Sequence, residues 1–272
     1  MKTLIIGATG MVAQETIIEL ANAGHQLRLF SRSIEASNYP NHEVLKGDVM
    51  NDKELSAAVK DCEAIHITIT GVDEAVVVKR VIEFAKTNNV KLISFVSGAS
   101  VCEKNSWFSP IKGKYDAEQI LKNSGIPYMI FRPTWFMETL SMFVRDGRAD
   151  IMGKQPNNLH WISSKDFGKM LATAYNIPEA LNQEFYAYGP EAFQMRQALE
   201  KYIKVKHPKI KKVSAAPFGI LNVIAFLTRN KELKEVIPMF QYFEKAGEEG
   251  DSKFTDKLLG KPTTKLSNWI IS

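Results

Sequence analysis

A chain of 272 residues holds one large or two modest domains, and its 45% hydrophobic and 24% charged content is that of a soluble globular protein rather than a disordered one. Two cysteines, Cys62 and Cys102, make no disulfide framework and read as free thiols in a reducing cytoplasm; five scattered histidines show no ligand spacing, so no metal is expected. The net charge of +5 rests partly on "KYIKVKHPKIKK" (Lys201 to Lys212), which carries no nucleic-acid motif and reads as a solvated basic face.

The apolar run before Gly7 is too short for the core of a signal peptide. The longest later one, "FGILNVIAFL" (Phe218 to Leu227), is about half of the ~20 residues a membrane span needs, so no membrane partner is expected.

The first half alternates short β-rich runs with helical stretches. "TLIIG", "LRLFS", "HEVLKGD", "AIHITIT", "KLISFVS" and "PYMIFRP" are the candidate strands. Between them lie "MVAQETIIELANAG", "DKELSAAVK", "VDEAVVVKRVIEFAKTNN" and "GKYDAEQILKNSG", with Gly24 and Gly125 where helix C-caps belong. This rhythm predicts an α/β fold, a doubly wound parallel Rossmann-type sheet with helices on both faces. After about Trp135 the rhythm changes. "LHWISS" and "EFYAYG" read as further strands around a helix "SKDFGKMLATAYN", and the pattern from Glu191 onward is mostly helical. The expected division is a dinucleotide-binding domain over residues 1–190, with 135–160 lining the substrate side. A small, mainly helical subdomain over 191–272 would share its core, packed over the carboxyl ends of the strands.

Gly7, Gly10 and Ala13 form a G-x-x-G-x-x-A turn between the first strand and the first helix. Such a turn needs glycine to bend, glycine to admit a pyrophosphate, and a small residue for close helix packing. The helix N-terminus then offers N–H groups and a partial positive charge to phosphate. Thr9, Met11 and Val12 complete this candidate phosphate loop. An NAD site normally carries an acid at the end of the second strand, on the ribose 2′-OH. Here that place reads Ser31-Arg32-Ser33. Two hydroxyls and a guanidinium suit a 2′-phosphate, so NADP(H) is favoured over NAD(H).

"GATGMVAQ", "SRS", the Gly47-Asp48 pair, "KGKYDAEQILKNSGIPYMIFRPTWFMETL" and "GPEAF" together resemble the NmrA-like branch of the atypical short-chain dehydrogenase/reductases. The detailed match covers roughly the first 140 residues. The resemblance implies a Rossmann sheet with a cofactor site, Asp48 and Val49 at the adenine end, and Thr68, Ile69 and Thr70 along the riboses. Relatives in that branch include quinone or flavin reductases, sugar-nucleotide epimerase-like proteins and redox-sensing regulators.

Short-chain dehydrogenases usually carry Tyr-x-x-x-Lys on one helix face, where the lysine holds the nicotinamide ribose and lowers the tyrosine pKa. Lys114 matches the lysine by resemblance, but Pro110 stands where the tyrosine belongs. Tyr115 is adjacent and points about 100° away on a helix. Ser97, ending "SFVSG", is a candidate to polarise a carbonyl, or else a turn cap. Lys114 is also readable as half of a surface pair with Glu118. After Arg132, the residues Pro133, Thr134, Trp135 and Phe136 end the sixth strand and enter the loop above it. There aromatic rings can stack on nicotinamide or on a flat substrate, or else fill a hydrophobic junction.

Three functions stay open. The leading one is an NADPH-dependent oxidoreductase acting on a small quinone-like or carbonyl substrate. The second is an NADP(H)-sensing regulator with a protein partner, suggested by the absent tyrosine and the basic segment. The third is an epimerase-like protein, against which Pro110 speaks.

Overall fold

The computed structural model describes residues 1–70 and 73–272; the helix expected from Val72 is described from Glu74. The chain begins β1 (Lys2–Ile6), α1 (Ala13–Asn22), β2 (Gln26–Ser31), β3 (Glu43–Lys46), α2 (Asp52–Val59), β4 (Ala64–Ile67), α3 (Glu74–Thr87), β5 (Leu92–Val96), α4 (Ser109–Lys122) and β6 (Tyr128–Pro133). It continues with three short strands, β7 (Val144–Arg145), β8 (Arg148–Met152) and β9 (Asn158–Trp161). Next come α5 (Ser164–Tyr175), β10 (Gln183–Ala187), β11 (Glu191–Gln194), α6 (Met195–Lys206) and β12 (Val213–Ala216). Four helices close the chain: α7 (Phe218–Leu227), α8 (Lys231–Lys245), α9 (Lys253–Leu259) and α10 (Leu266–Ile271).

Two compact units result. The first comprises Met1–Pro133, Ser164–Ala187 and Gly250–Pro262; the second comprises Thr134–Ser163, Tyr188–Glu249 and Thr263–Ser272. The division does not fall at residue 190. The chain leaves the first unit at Pro133, returns for α5 and β10, and returns again for α9, because β10 adds a strand beside β6 and α9 packs on β10.

The first unit is a seven-stranded, all-parallel sheet in the order β10-β6-β5-β4-β1-β2-β3, the expected Rossmann-type α/β fold. Its central strands are apolar on both faces, as a doubly covered parallel sheet requires: Leu4, Ile5 and Ile6 of β1 and Ile65 and Ile67 of β4 are at most 2% exposed. Val77, Val78 and Val81 of α3 and Leu121 of α4 fill one core face with Ile65, Ile93 and Phe95. The helix starts are set locally. Asn51 accepts from the N–H groups of Lys53 and Glu54 at the start of α2, and Asp73 from those of Ala75 and Val76 at the start of α3. On the other face His66 of β4 meets the Ser94 hydroxyl at 2.7 Å, and Ser94 meets the Tyr175 hydroxyl of α5 at 2.6 Å.

The second unit is not purely helical. Glu191–Gln194 is a strand, antiparallel to β9, where a helix was expected to begin. β12 lies parallel to β8, which pairs in turn with β7. The core is Met137, Leu140, Ile151 and Trp161 packed against α6 through Met195, Leu199 and Ile203.

Candidate functional site

β1 lies between β4 and β2 in the sheet, and the helices leaving β1 and β4 take opposite faces: α1 packs on α5, and α3 on α4. Such a reversal leaves a crevice beyond the strand ends. The turn into α1 is built for close approach. Gly7 has φ 86°, and a Cβ there would stand 1.9 Å from the Thr68 carbonyl oxygen, so no larger residue fits. The Gly7 N–H donates to the Phe30 carbonyl (3.0 Å), that of Gly10 to Gly7 (3.0 Å) and that of Ala13 to Gly10 (3.0 Å). Gly10 is exposed, and its Cβ position meets chain atoms no nearer than the Gly7 oxygen at 3.2 Å. Among the described residues nothing accepts from the N–H groups of Met11 and Val12, which leaves donors at the start of α1.

A cavity of about 200 Å³ opens over this turn. Its walls are Gly7, Thr9 and Gly10 of the turn, Ser31 at the end of β2 and Arg32 after it, Asp48 and Val49 after β3, and Thr68, Ile69 and Thr70 after β4. Those are ten of the residues singled out from the sequence; Ile6, Phe30 and Gly47 complete the lining. The Thr9 hydroxyl lies 2.8 Å from that of Ser31 and 3.4 Å from that of Ser33, which ties the turn to the end of β2. Arg32 is exposed, and among the described residues no carboxylate pairs with it. Asp48 is held by the Met50 N–H on its carboxylate (2.9 Å), while its own N–H donates to Glu54 (2.6 Å). Glu54 also accepts from its cap partner Asn51 at 3.0 Å.

The other expected residues lie elsewhere. Met11 and Val12 sit on the turn outside the cavity lining. Ser97 follows β5, 6% exposed; its N–H donates to Phe131 (2.7 Å), and among the described residues its buried hydroxyl has no partner. Lys114 lies on α4, but its partner is not Glu118. Its ammonium is 3.2 Å from Glu74 at the start of α3 and 5.6 Å from the centre of the Phe95 ring. Glu118 is fully buried and holds Arg132 through two hydrogen bonds, one of 2.9 Å to Nε. Arg132 also meets Glu184 (2.6 Å) and the Tyr186 hydroxyl (3.0 Å); burial works against its charge, but the hydrogen bond and charge of Glu118, and then the charge of Glu184, outweigh it and hold its pKa above the usual arginine value. Pro110 is the second residue of α4, where a missing N–H costs nothing. Pro133 ends β6, buried, its carbonyl accepting from Ala99 (2.9 Å).

Thr134, Trp135 and Phe136 belong to the second unit. Thr134 donates to Glu248, which also accepts from the His160 N–H (2.8 Å) and meets His160 Nδ1 at 2.6 Å. The His160 ring stacks on Tyr188 at 5.1 Å. Trp135 packs among Phe243 (5.0 Å), Trp161 (6.0 Å), Phe240 (6.2 Å) and Phe143 (6.3 Å), the hydrophobic reading of this loop. Phe136 is buried in a bridge to Ile162.

A glycine turn, a helix start and a polar cleft at the strand reversal define a dinucleotide-binding Rossmann protein. Residues 7–178 match the model of the NAD(P)H-binding family, and the chain belongs to that family, in keeping with the NmrA-like resemblance. It is 23% identical over 209 residues to the photosystem II assembly factor Ycf39 of Trieres chinensis, a match covering 71% of this chain and 65% of that protein. In fold it is similar to a nucleoside-diphosphate-sugar epimerase from Staphylococcus aureus (TM-score 0.79, 15% identity, all of both chains). It is similarly close to the NADPH-dependent quinone oxidoreductase QOR2 of Escherichia coli complexed with NADPH (TM-score 0.77, 19% identity, 100% of this chain and 99% of that one).

Proposed function

We propose that the protein is an NADPH-dependent reductase of a small, quinone-like or carbonyl acceptor. The observation that carries the reading is the cleft itself: a glycine turn aimed at pyrophosphate, flanked at the end of β2 by Ser31, Arg32 and Ser33 with no acid. The donor set fits NADP(H). Gly10 leaves room for the pyrophosphate, the start of α1 supplies N–H donors, and Arg32 is unpaired and able to take a 2′-phosphate. When bound, the nicotinamide supplies the hydride.

The protein's share is position and electrostatics. Lys114, ordered against Glu74, binds the nicotinamide ribose hydroxyls in this reading. Ser97 offers its unclaimed hydroxyl to the acceptor's oxygen, where Pro110 removes the usual phenol. Quinones and flavins accept hydride with less help from a fixed acid, which favours them over simple alcohol–ketone chemistry. Loss of NADPH absorbance with a panel of quinones, flavin and aldehydes tests the reading. No oxidation above background with any acceptor refutes it.

The second reading is an NADP(H)-binding regulator, favoured by Pro110 at the tyrosine position. It predicts tight NADPH binding without turnover, and recovery of a protein partner in only one redox state.

A further inference from the structure

α7 is the apolar run that is too short to cross a membrane. Only Leu221 and Ala225 are buried, against Ile237 of α8. The outward face is apolar as well: Ile220 is 57% exposed, Val223 58%, Ile224 44%, Phe226 74% and Leu227 72%. Five large side chains on three turns make the kind of contiguous patch that a soluble surface avoids unless something covers it.

Charge says what covers it. Between residues 201 and 234 there are nine Lys and Arg against the single acid Glu232, a net of +8. The whole chain carries +5, so the remainder is net negative at −3, and the basic excess is confined to the sequence around α7. Lys211 and Lys212 precede the helix; Arg229, Lys231 and Lys234 follow it, all exposed. Among the described residues none of the nine forms an ion pair. A second copy of the chain would bring the same +8 against itself in a two-fold interface, so self-association is opposed. Phosphate backbones would satisfy the cations but leave the apolar face in water. A lipid surface with anionic headgroups satisfies both.

We infer that α7 is an interfacial anchor: its Ile220, Val223, Ile224, Phe226 and Leu227 face enters the headgroup–acyl boundary of an anionic membrane, held by the flanking lysines and Arg229. The helix, about 15 Å long, lies in the membrane plane rather than across it. The inference is independent of the cofactor chemistry.

The test is flotation of the full chain with vesicles of phosphatidylcholine alone, or of phosphatidylcholine and phosphatidylglycerol in equal parts. The expected result is flotation with the mixed vesicles only, weakened as salt rises from about 0.1 M to about 0.5 M. Lys211→Gln with Lys212→Gln should weaken partition roughly 30-fold, and Phe226→Ser with Leu227→Ser more than about 100-fold. These four side chains are exposed, so thermal unfolding and circular dichroism should match the wild type. In a Phe226→Trp variant the indole emission should shift to the blue on mixing with anionic vesicles. Absence of flotation with mixed vesicles at low salt overturns the inference, as does equal partition to phosphatidylcholine alone. A dimer in sedimentation that Phe226→Ser with Leu227→Ser dissolves, with no vesicle binding, assigns the face to self-association instead.

Discussion

Gly7→Ala is the sharpest test of how the turn is built. At φ 86° an L-residue costs about 1–2 kcal/mol over glycine. The new methyl would stand 1.9 Å from the Thr68 carbonyl oxygen and 2.8 Å from its carbon. Both are backbone atoms of the chain leaving β4, whose N–H bonds Ile6 at 3.0 Å, so the overlap is relieved only by parting β1 from β4 at their ends. Overpacking of this kind adds about 1–3 kcal/mol. The total, about 2–5 kcal/mol, corresponds to a Tm loss of about 4–20 °C in a unit of this size. Differential scanning calorimetry of wild type, Gly7→Ala and Gly10→Ala is the assay. Gly10→Ala should lose much less Tm than Gly7→Ala, because its Cβ meets only the Gly7 oxygen at 3.2 Å, a contact relieved by a shift of a few tenths of an ångström. Equal Tm values for Gly7→Ala and wild type would refute the steric account of the turn.

Arg32→Ala should weaken NADPH by about tenfold to a hundredfold, the worth of one charge-assisted contact, and leave NADH nearly unchanged; dissociation constants at one fixed ionic strength check it. Equal loss of both cofactors would assign Arg32 to the fold or the adenine pocket. Glu118→Gln should destabilise by about 3 kcal/mol in urea unfolding, the low end for breaking a buried pair, because Glu184 still faces Arg132; a change below about 1 kcal/mol would contradict it. Burial lowers the pKa of His66 from 6.5 to about 3, so this ring stays neutral in the fold while the unfolded chain takes up a proton. Its contribution is complete above pH 6.5 and is lost as pH falls from there toward 3, at about 1.4 kcal/mol per pH unit. His25 is lowered in the same direction, by burial first. Tm should therefore drop between pH 6.5 and 5, and His66→Gln should make that slope shallower; identical slopes would place the acid sensitivity elsewhere.

The first unit was legible because its signals are local. The strands β1, β4, β5 and β6 are compact apolar runs, the helices between them are periodic, and the turn from Gly7 to Ala13 names its own geometry. Residues that meet in the cleft sit at the ends of β1, β2, β3 and β4, so placing the strands places them together. The Asn51–Glu54 spacing, a cap residue with an acid three on, was a readable signal for the support beneath Asp48. What was hidden depends on long-range packing. Glu74 lies 40 residues before Lys114 and reaches it only because α3 packs on α4, so a neighbour on the same helix, Glu118, looked like the natural partner. Glu118 is instead turned inward to Arg132. In the second unit β7 has two residues and β12 pairs with β8 across some sixty residues of chain, too short and too distant for any period to appear. Glu191–Gln194 reads as the start of a helix because the true helix, α6, follows at once.

Calorimetric titration of NADPH into wild type and Gly10→Glu shows whether the cleft over the β1–α1 turn binds the cofactor's pyrophosphate. Gly10 is exposed and its Cβ position meets only the Gly7 carbonyl oxygen at 3.2 Å and the Ala13 Cβ at 4.0 Å, so the variant should stay folded with a small loss of Tm while its carboxylate fills and repels the pyrophosphate position. The expected result is saturable NADPH binding to the wild type and none to the folded variant. Unchanged NADPH affinity in folded Gly10→Glu, or no binding to the wild type, would contradict it.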